Sequence, residues 1–398
     1  VGLRPEQSDE GTDPGSTRVI EKLHQAASRG DIDELRRLAG SIPNLINTRD
    51  GYGDTALAYA ARRGHEDVAD WLLSHGADVS IVREKPNSGW SPLFWACGYG
   101  AKIEIVRKLI DAGADVRERA DHHGAKQDTV LHQAAHYGHR VVIRLLIDRG
   151  ADVAAVCGKG DAGYAGHTPL MVAAKEGHSS CAEELIGRGA TVDVFSRTAL
   201  GFWDDPELLD GDALASRDGN GAGVLHWSVY GNQREMIDLL IARGADPSAE
   251  DERGRTPLLE ALLGGQPDLA ASFRMDDERA LALQGRVEEL RGAIAKDADA
   301  VERQDASGWD LMHWAARGGD EATIELLLEA GADIEAVDVR GRTPLFTAAY
   351  DGRHEEAVGI LVERGADVRH RDEAGRGILA YDVGREIGRF LRDRGAKE

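Results

Sequence analysis

The sequence is poor in cysteine, in basic charge, in proline and in long apolar runs. Three cysteines stand in 398 residues, at Cys97, Cys157 and Cys181. They are too few for a disulfide framework and lie too far apart for a close metal-binding spacing. A reducing, cytoplasmic setting is expected. Lys and Arg number 48 against 70 Asp and Glu, a net charge of −22. Sequence-independent nucleic-acid binding needs a dense field of Lys and Arg to replace phosphate counterions, so no nucleic-acid partner is expected. An anionic membrane surface is disfavoured for the same reason. No apolar run approaches the ~20 residues of a membrane-spanning helix. The opening VGLRPEQSDEGTDPGST lacks the apolar stretch of a secretion signal, and residues 1–16 read as a disordered, solvated tail.

Glycine is the abundant residue. There are 48 glycines beside 11 prolines, well above the ~7% of ordinary proteins. Strict Gly-X-Y periodicity is missing, which excludes a collagen helix. The glycines recur instead at turns. Gly-Ala-Asp begins at Gly76, Gly113, Gly150, Gly244, Gly331 and Gly365, each time after an apolar stretch such as LLIDRGAD or LLLEAGAD. A second glycine precedes it by 12 residues in most units (Gly64, Gly138, Gly177, Gly319), often followed by His. Before that comes a segment such as TALAYAARRGH or TPLMVAAKEGH. Each unit therefore reads as two short amphipathic helices and an extended turn. Thr or Ser caps the first helix, proline suits its first turn, and glycine permits the left-handed residue that ends it. One such unit cannot bury its apolar face alone, so the array must stack.

At these residues the chain resembles the ankyrin-repeat family, whose pattern D-x-x-G-x-TPLHxAA-x-x-GH…LL-x-x-GAD recurs from about Thr17 to Gly395. The resemblance implies an all-α helix-turn-helix solenoid, curved, with β-hairpin fingers and a concave groove, used for protein recognition. About eleven units are expected, caps included. Regular units begin near Asp50, Pro86, Gly124, Gly163, Asp218, Asp251, Asp305 and Asp338, and a C-terminal cap near Asp372. The stretch ERALALQGRVEELRGAIAKDADAVERQD parallels the N-terminal cap. A first sub-array over 17–265 and a second over 266–398 are therefore expected, with a bend near 266–277.

Departures from the repeat carry the site expectations. Glycine-to-glycine steps run 36, 38 and 39, jump to 55 between Gly177 and Asn232, then fall to 33 and to 20 between Gly265 and Gly285. The largest insertion, 194–217, carries Phe195, Phe202 and Trp203 and is read as a flap over the groove or a lengthened finger. The short step implies a lost finger. The position after the motif histidine is Trp95, Trp227 and Trp314 in three units and Tyr59 in another, Trp90 and Trp309 lie five residues before two of these, and Tyr99, Tyr137 and Tyr230 end first helices. Glu260 is a carboxylate where other units carry Trp. A groove of Trp, Tyr and one carboxylate would suit a small apolar or cationic ligand. His132 and His136 have the i, i+4 spacing of a helical metal pair. His132 belongs to the repeat pattern, however, and neither metal nor cofactor is expected. His136, with Asp128, His167, Lys175 and Glu176, offers acid–base groups across the groove.

Two functions follow. The first is an interaction module binding a protein partner through concave face and fingers, where −22 favours a basic partner surface. The second is an enzyme or small-molecule binder of isomerase, hydratase or cyclase type, with Glu260, His136, Asp128 and His167 as candidate catalytic residues. Whether any reaction is catalysed is left open by the sequence.

Overall fold

The computed structural model describes residues 14–39, 45–83, 90–98, 100, 102–122, 125–158, 164–202 and 211–397. Within them the chain is all-α, built of helix pairs such as Ala56–Arg63 with Glu66–Ser74, and Val130–His136 with Arg140–Asp148. The only strand pair among the described residues is antiparallel, Arg119–His122 with Ala125–Thr129, in one lengthened finger.

Local chemistry dictates the pairs. Thr55, Ser91, Thr129, Thr168 and Thr256 cap first helices by accepting the backbone N–H three residues on. Gly64 closes its helix at φ +74°, a conformation open to glycine and costly for other residues. First helices pack on first helices, which their alanines allow: Ala60, Ala61, Ala134 and Ala135 are all buried. Two sets of histidines staple neighbouring units. The motif histidines donate Nε2–H forward, His132 to the His167 carbonyl at 3.0 Å and His226 to that of Arg255 at 2.8 Å. The histidines that open second helices donate backward, His65 to Ser28 at 2.9 Å and His178 to His136 at 3.0 Å. Buried polar groups paired in this way set register between units as well as adding stability.

Five of the fingers turn on one aspartate each. In the tips at Asp50, Asp251, Asp305, Asp338 and Asp372, the carboxylate accepts the N–H four residues on, and the Asp N–H closes on the carbonyl of that residue. The second carboxylate oxygen is satisfied from nine residues further on: by Tyr59 OH at 2.7 Å for Asp50, by Trp314 Nε1 at 3.2 Å for Asp305, and by Tyr381 OH for Asp372. In these three units the aromatic is therefore tied to its own finger. Replacing Trp314 with Phe keeps most of the packing and removes this donor. Urea unfolding is expected to show a loss of about 1–2 kcal/mol; an unchanged midpoint would mean that the bond contributes nothing.

Two compact units divide the chain: residues 1–209 with 216–220, and residues 210–215 with 221–398. In the first, the start of the large insertion is a helix, Val194–Leu200, capped by Asp193 and packed beside the first helix Pro169–Lys175. Ser196, Thr198 and Ala199 face the core. This part of the insertion thus extends the stack by one first helix.

The second unit contains the short 20-residue step. Between Pro267–Ala270 and the next first helix, Glu278–Leu283, no finger forms. The fingers on either side meet instead. Ser307 Oγ donates to the Arg253 carbonyl at 3.1 Å, and a side chain on Gly254 would come within 2.9 Å of the Ala306 nitrogen. Arg279, on the fingerless pair, spans the gap. It donates to the Gly254 carbonyl at 2.7 Å, pairs with Glu250 at 2.8 Å and grips Asp277 with two bonds of 2.9 Å. Beneath lies a cavity of about 690 Å³ whose lining includes Leu258, Phe273, Arg279, Ala300 and Leu311.

Candidate functional site

The tryptophans separate into two depths. Trp90, Trp95, Trp227 and Trp314 are at most 3% exposed, so they are packed inside the stack and do not line a binding surface. Trp95 donates to Asp54 at 3.2 Å beneath the Arg62 guanidinium, 4.3 Å from its ring, and Trp90 donates to the Asp121 carbonyl. Trp309 is half-buried, as are Tyr137 and Tyr230. Tyr99, Trp203 and residues 203–210 of the insertion lie outside the described residues.

The expected acid–base groups gather in the first unit, joined by a residue that sequence reasoning missed. Tyr164 donates its hydroxyl to Glu176 and lies 3.3 Å from His136 Nδ1, which is itself 3.6 Å from Glu176. Lys175 sits 4.9 Å above the Tyr164 ring. Burial, reinforced by the Glu176 charge, pushes the phenol pKa far above its usual range, so it stays neutral. Burial works against ionisation of Glu176 as well, but the bonds from His136 and Tyr164 outweigh it and lower its pKa. His167 is fully buried, with Nε2 2.9 Å from Asp218 and 3.3 Å from Asn220. Asp128 is buried too, and desolvation raises its carboxyl to about 6 against the pull of His132, His136 and His167. The groups hold one another. Tyr164 lies in the inserted stretch GKGDAGYAGH, and the signal was a lone aromatic among small residues. His132 uses Nδ1 on Thr129 and Nε2 on His167, so it is held as a neutral structural residue.

Glu260, in the second unit, faces an internal cation: Arg255 Nη1 lies 3.1 Å from its Oε1. That arginine leads into a pocket of about 280 Å³ whose lining includes Arg255, Trp309, Arg317, Arg342, Tyr350 and Tyr381. Phe346 and Thr347 form its floor. Asp338 fixes Arg342 through contacts of 2.6 and 2.8 Å. Phe346 meets Tyr381 edge-on at 5.7 Å, Trp309 meets Trp314 likewise at 5.0 Å, and Arg317 lies 5.9 Å over Tyr350. The register explains the composition. Arg255, Trp309 and Arg342 each follow a finger aspartate by four residues, while Leu263, Arg317 and Tyr350 follow by twelve. With the intervening finger missing, two fingers that would be separated become neighbours, and Arg255 comes beside Trp309.

The profile of the family described as "Ankyrin repeats (3 copies)" matches residues 23–120, 117–196 and 280–372, and that of the single ankyrin repeat matches 220–252. The chain is an ankyrin-repeat protein. Similar proteins include the E3 ubiquitin-protein ligase KEG of Arabidopsis thaliana, 24% identical over 82% of this chain and 20% of that protein. The ankyrin repeat and KH domain-containing protein mask-1 of Caenorhabditis elegans is 26% identical over 82% of this chain and 12% of its own length. A homologue of transient receptor potential cation channel subfamily A member 1 from the same species is 35% identical over 33% of this chain and 10% of its own. This ankyrin-repeat chain thus spans a fifth or less of each of these relatives. Ankyrin repeats are protein-interaction modules, and the internally paired clusters above fit an ankyrin framework. No described helix is long and apolar enough to cross a membrane.

Proposed function

We propose that the chain binds a protein partner through its finger bases and the ends of its first helices, and that the partner carries a basic surface. The supporting observation is a difference in depth within one register. Tyr59 and Trp314, nine residues after a finger aspartate, are tied back to that aspartate. The aromatics at the end of the first helix, Tyr137, Tyr230 and Tyr350, reach the surface instead. Half-buried tyrosines are good anchors, because they add large contact area at little entropic cost. The −22 charge steers basic partners toward the chain over long range. The three cysteines are free thiols in the core, which supports a reducing, cytoplasmic setting.

The test compares partner capture from cell extract by three forms: the parent, the Tyr137→Ser/Tyr230→Ser double variant, and Val141→Ser. Val141 is 60% exposed on a second helix, so its variant controls for general surface change. Capture by the double variant is expected to drop about tenfold or more, two anchors being worth at least ~1.4 kcal/mol together, with no change for Val141→Ser. Equal capture by all three would overturn the reading.

A further inference from the structure

In a chain of net charge −22, the charged side chains that line the pocket around Trp309 and Phe346, among the described residues, are three arginines, Arg255, Arg317 and Arg342, two of them backed by the carboxylates of Glu260 and Asp338. A pocket walled by guanidinium donors and aromatic rings calls for a ligand that accepts hydrogen bonds. We propose that this pocket anchors one carboxylate side chain of the partner protein, an Asp or Glu presented next to an aromatic or apolar residue. The inference rests on the interaction-module reading and adds to it the chemistry of one contact.

Three features select this occupant. Arginine forks match a carboxylate with two parallel N–H donors, and here the forks are pre-set: Asp338 holds Arg342 at 2.6 Å, and Glu260 holds Arg255 at 3.1 Å. Those two carboxylates also moderate the positive field. Together with the acidic chain around them, they favour one negative charge over the two of a phosphate. The walls supply the second half of the recognition. Trp309, Phe346, Tyr350 and Tyr381 surround a space of about 280 Å³, room for a side chain rather than for an element of a partner's fold. Tyr350 is 52% exposed and stands at the mouth. The deletion of a finger contributes the Arg255 side of the pocket. Arg253 and Ser307 join the flanking fingers at 3.1 Å, and this closure places Arg255 on the same pocket as Trp309. The basic surface inferred for the partner and an acidic anchor within it are compatible, because net charge acts over long range whereas the pocket reads one side chain in contact.

Fluorescence anisotropy on the whole chain tests this with labelled octapeptides that differ only at the centre: Asp-Phe, Asn-Phe, Lys-Phe and phosphoserine-Phe in a Gly-Ser frame. The Asp-Phe peptide is expected to bind about tenfold tighter than the Asn-Phe and Lys-Phe peptides, and no more weakly than the phosphoserine peptide. Arg317→Ala is expected to erase the Asp-over-Asn preference, and Tyr350→Ser to weaken both peptides alike. Both changes lie at the pocket surface, and an unchanged thermal midpoint confirms that each variant is folded. Absence of binding by every peptide would overturn the proposal. So would equal binding of Asp and Asn, preference for Lys or phosphoserine, or a preference that survives Arg317→Ala. The interaction-module reading is judged separately, by the Tyr137→Ser/Tyr230→Ser double variant, neither of whose residues lines this pocket.

Discussion

Replacing Arg279 with alanine is expected to destabilise the second unit by about 3 kcal/mol, the range found when one partner of a largely buried, hydrogen-bonded charge pair is removed. Arg279 is 19% exposed and Asp277 15%, so little water is available to take over. The substitution leaves the Asp277 carboxylate without its two-pronged partner and removes the donor to the Gly254 carbonyl. It also breaks the contact with Glu250, which is 48% exposed and contributes correspondingly less. Lysine restores the charge but not the fork, so Arg279→Lys should recover less than half of the loss. Arg274→Ala is the control: its pair with Asp276 is 92% and 73% exposed and should shift the midpoint by under ~0.5 kcal/mol. Urea unfolding measures the loss, and hydrogen exchange locates it. Faster exchange at Ala306 and Gly308, in the finger that meets Gly254, is expected if Arg279 stands in for the missing finger. A change in stability without that local signature would mean that Arg279 serves the fingerless pair alone.

The fold was legible because each of its devices recurs. The finger aspartate, the capping threonine, the alanine pair and the closing glycine appear together in register, so one accidental match cannot mimic the pattern. The candidate site was legible in direction and not in depth. Periodicity says that Trp227 and Trp314 share a side of the stack, but exposure depends on whether the indole finds a partner behind it. Trp314 does, in Asp305. Glu260 stood out as a carboxylate in an aromatic column, and the resolving residue was five positions earlier: Arg255, one of three arginines that follow a finger aspartate by four. The shortened step from Gly265 to Gly285 was equally visible. What spacing could not convey is that the flanking fingers close over the gap. Arg255 therefore went unread as a neighbour of Trp309, Arg317 and Arg342, since it joins them only once that finger is gone.

Asp128 provides a test of electrostatics in the first unit. Its folded-state carboxyl titrates at about 6, because burial opposes the charged form more than His132, His136 and His167 favour it. Its ordinary value of 3.8 applies to the unfolded chain. Between those values the folded state holds a proton that the unfolded state has released, so this residue's contribution to stability falls as pH rises from about 4 to about 6 and is level above. A difference of about two pK units corresponds to ~2–3 kcal/mol across that window. His132 and His167 act in the opposite sense. Burial lowers both, so the unfolded chain protonates them first and stability is lost as pH falls below 6.5. The two trends mask one another in the parent, and the comparison with Asp128→Asn isolates the carboxyl. Asparagine is neutral at every pH and close to the same shape. The variant should gain ~2–3 kcal/mol relative to the parent between pH 4 and pH 7, as measured by urea midpoints at fixed ionic strength. A gap that stays flat across that range would show that Asp128 is ionised at pH 4 in the folded chain, with its charge held by the neighbouring histidines.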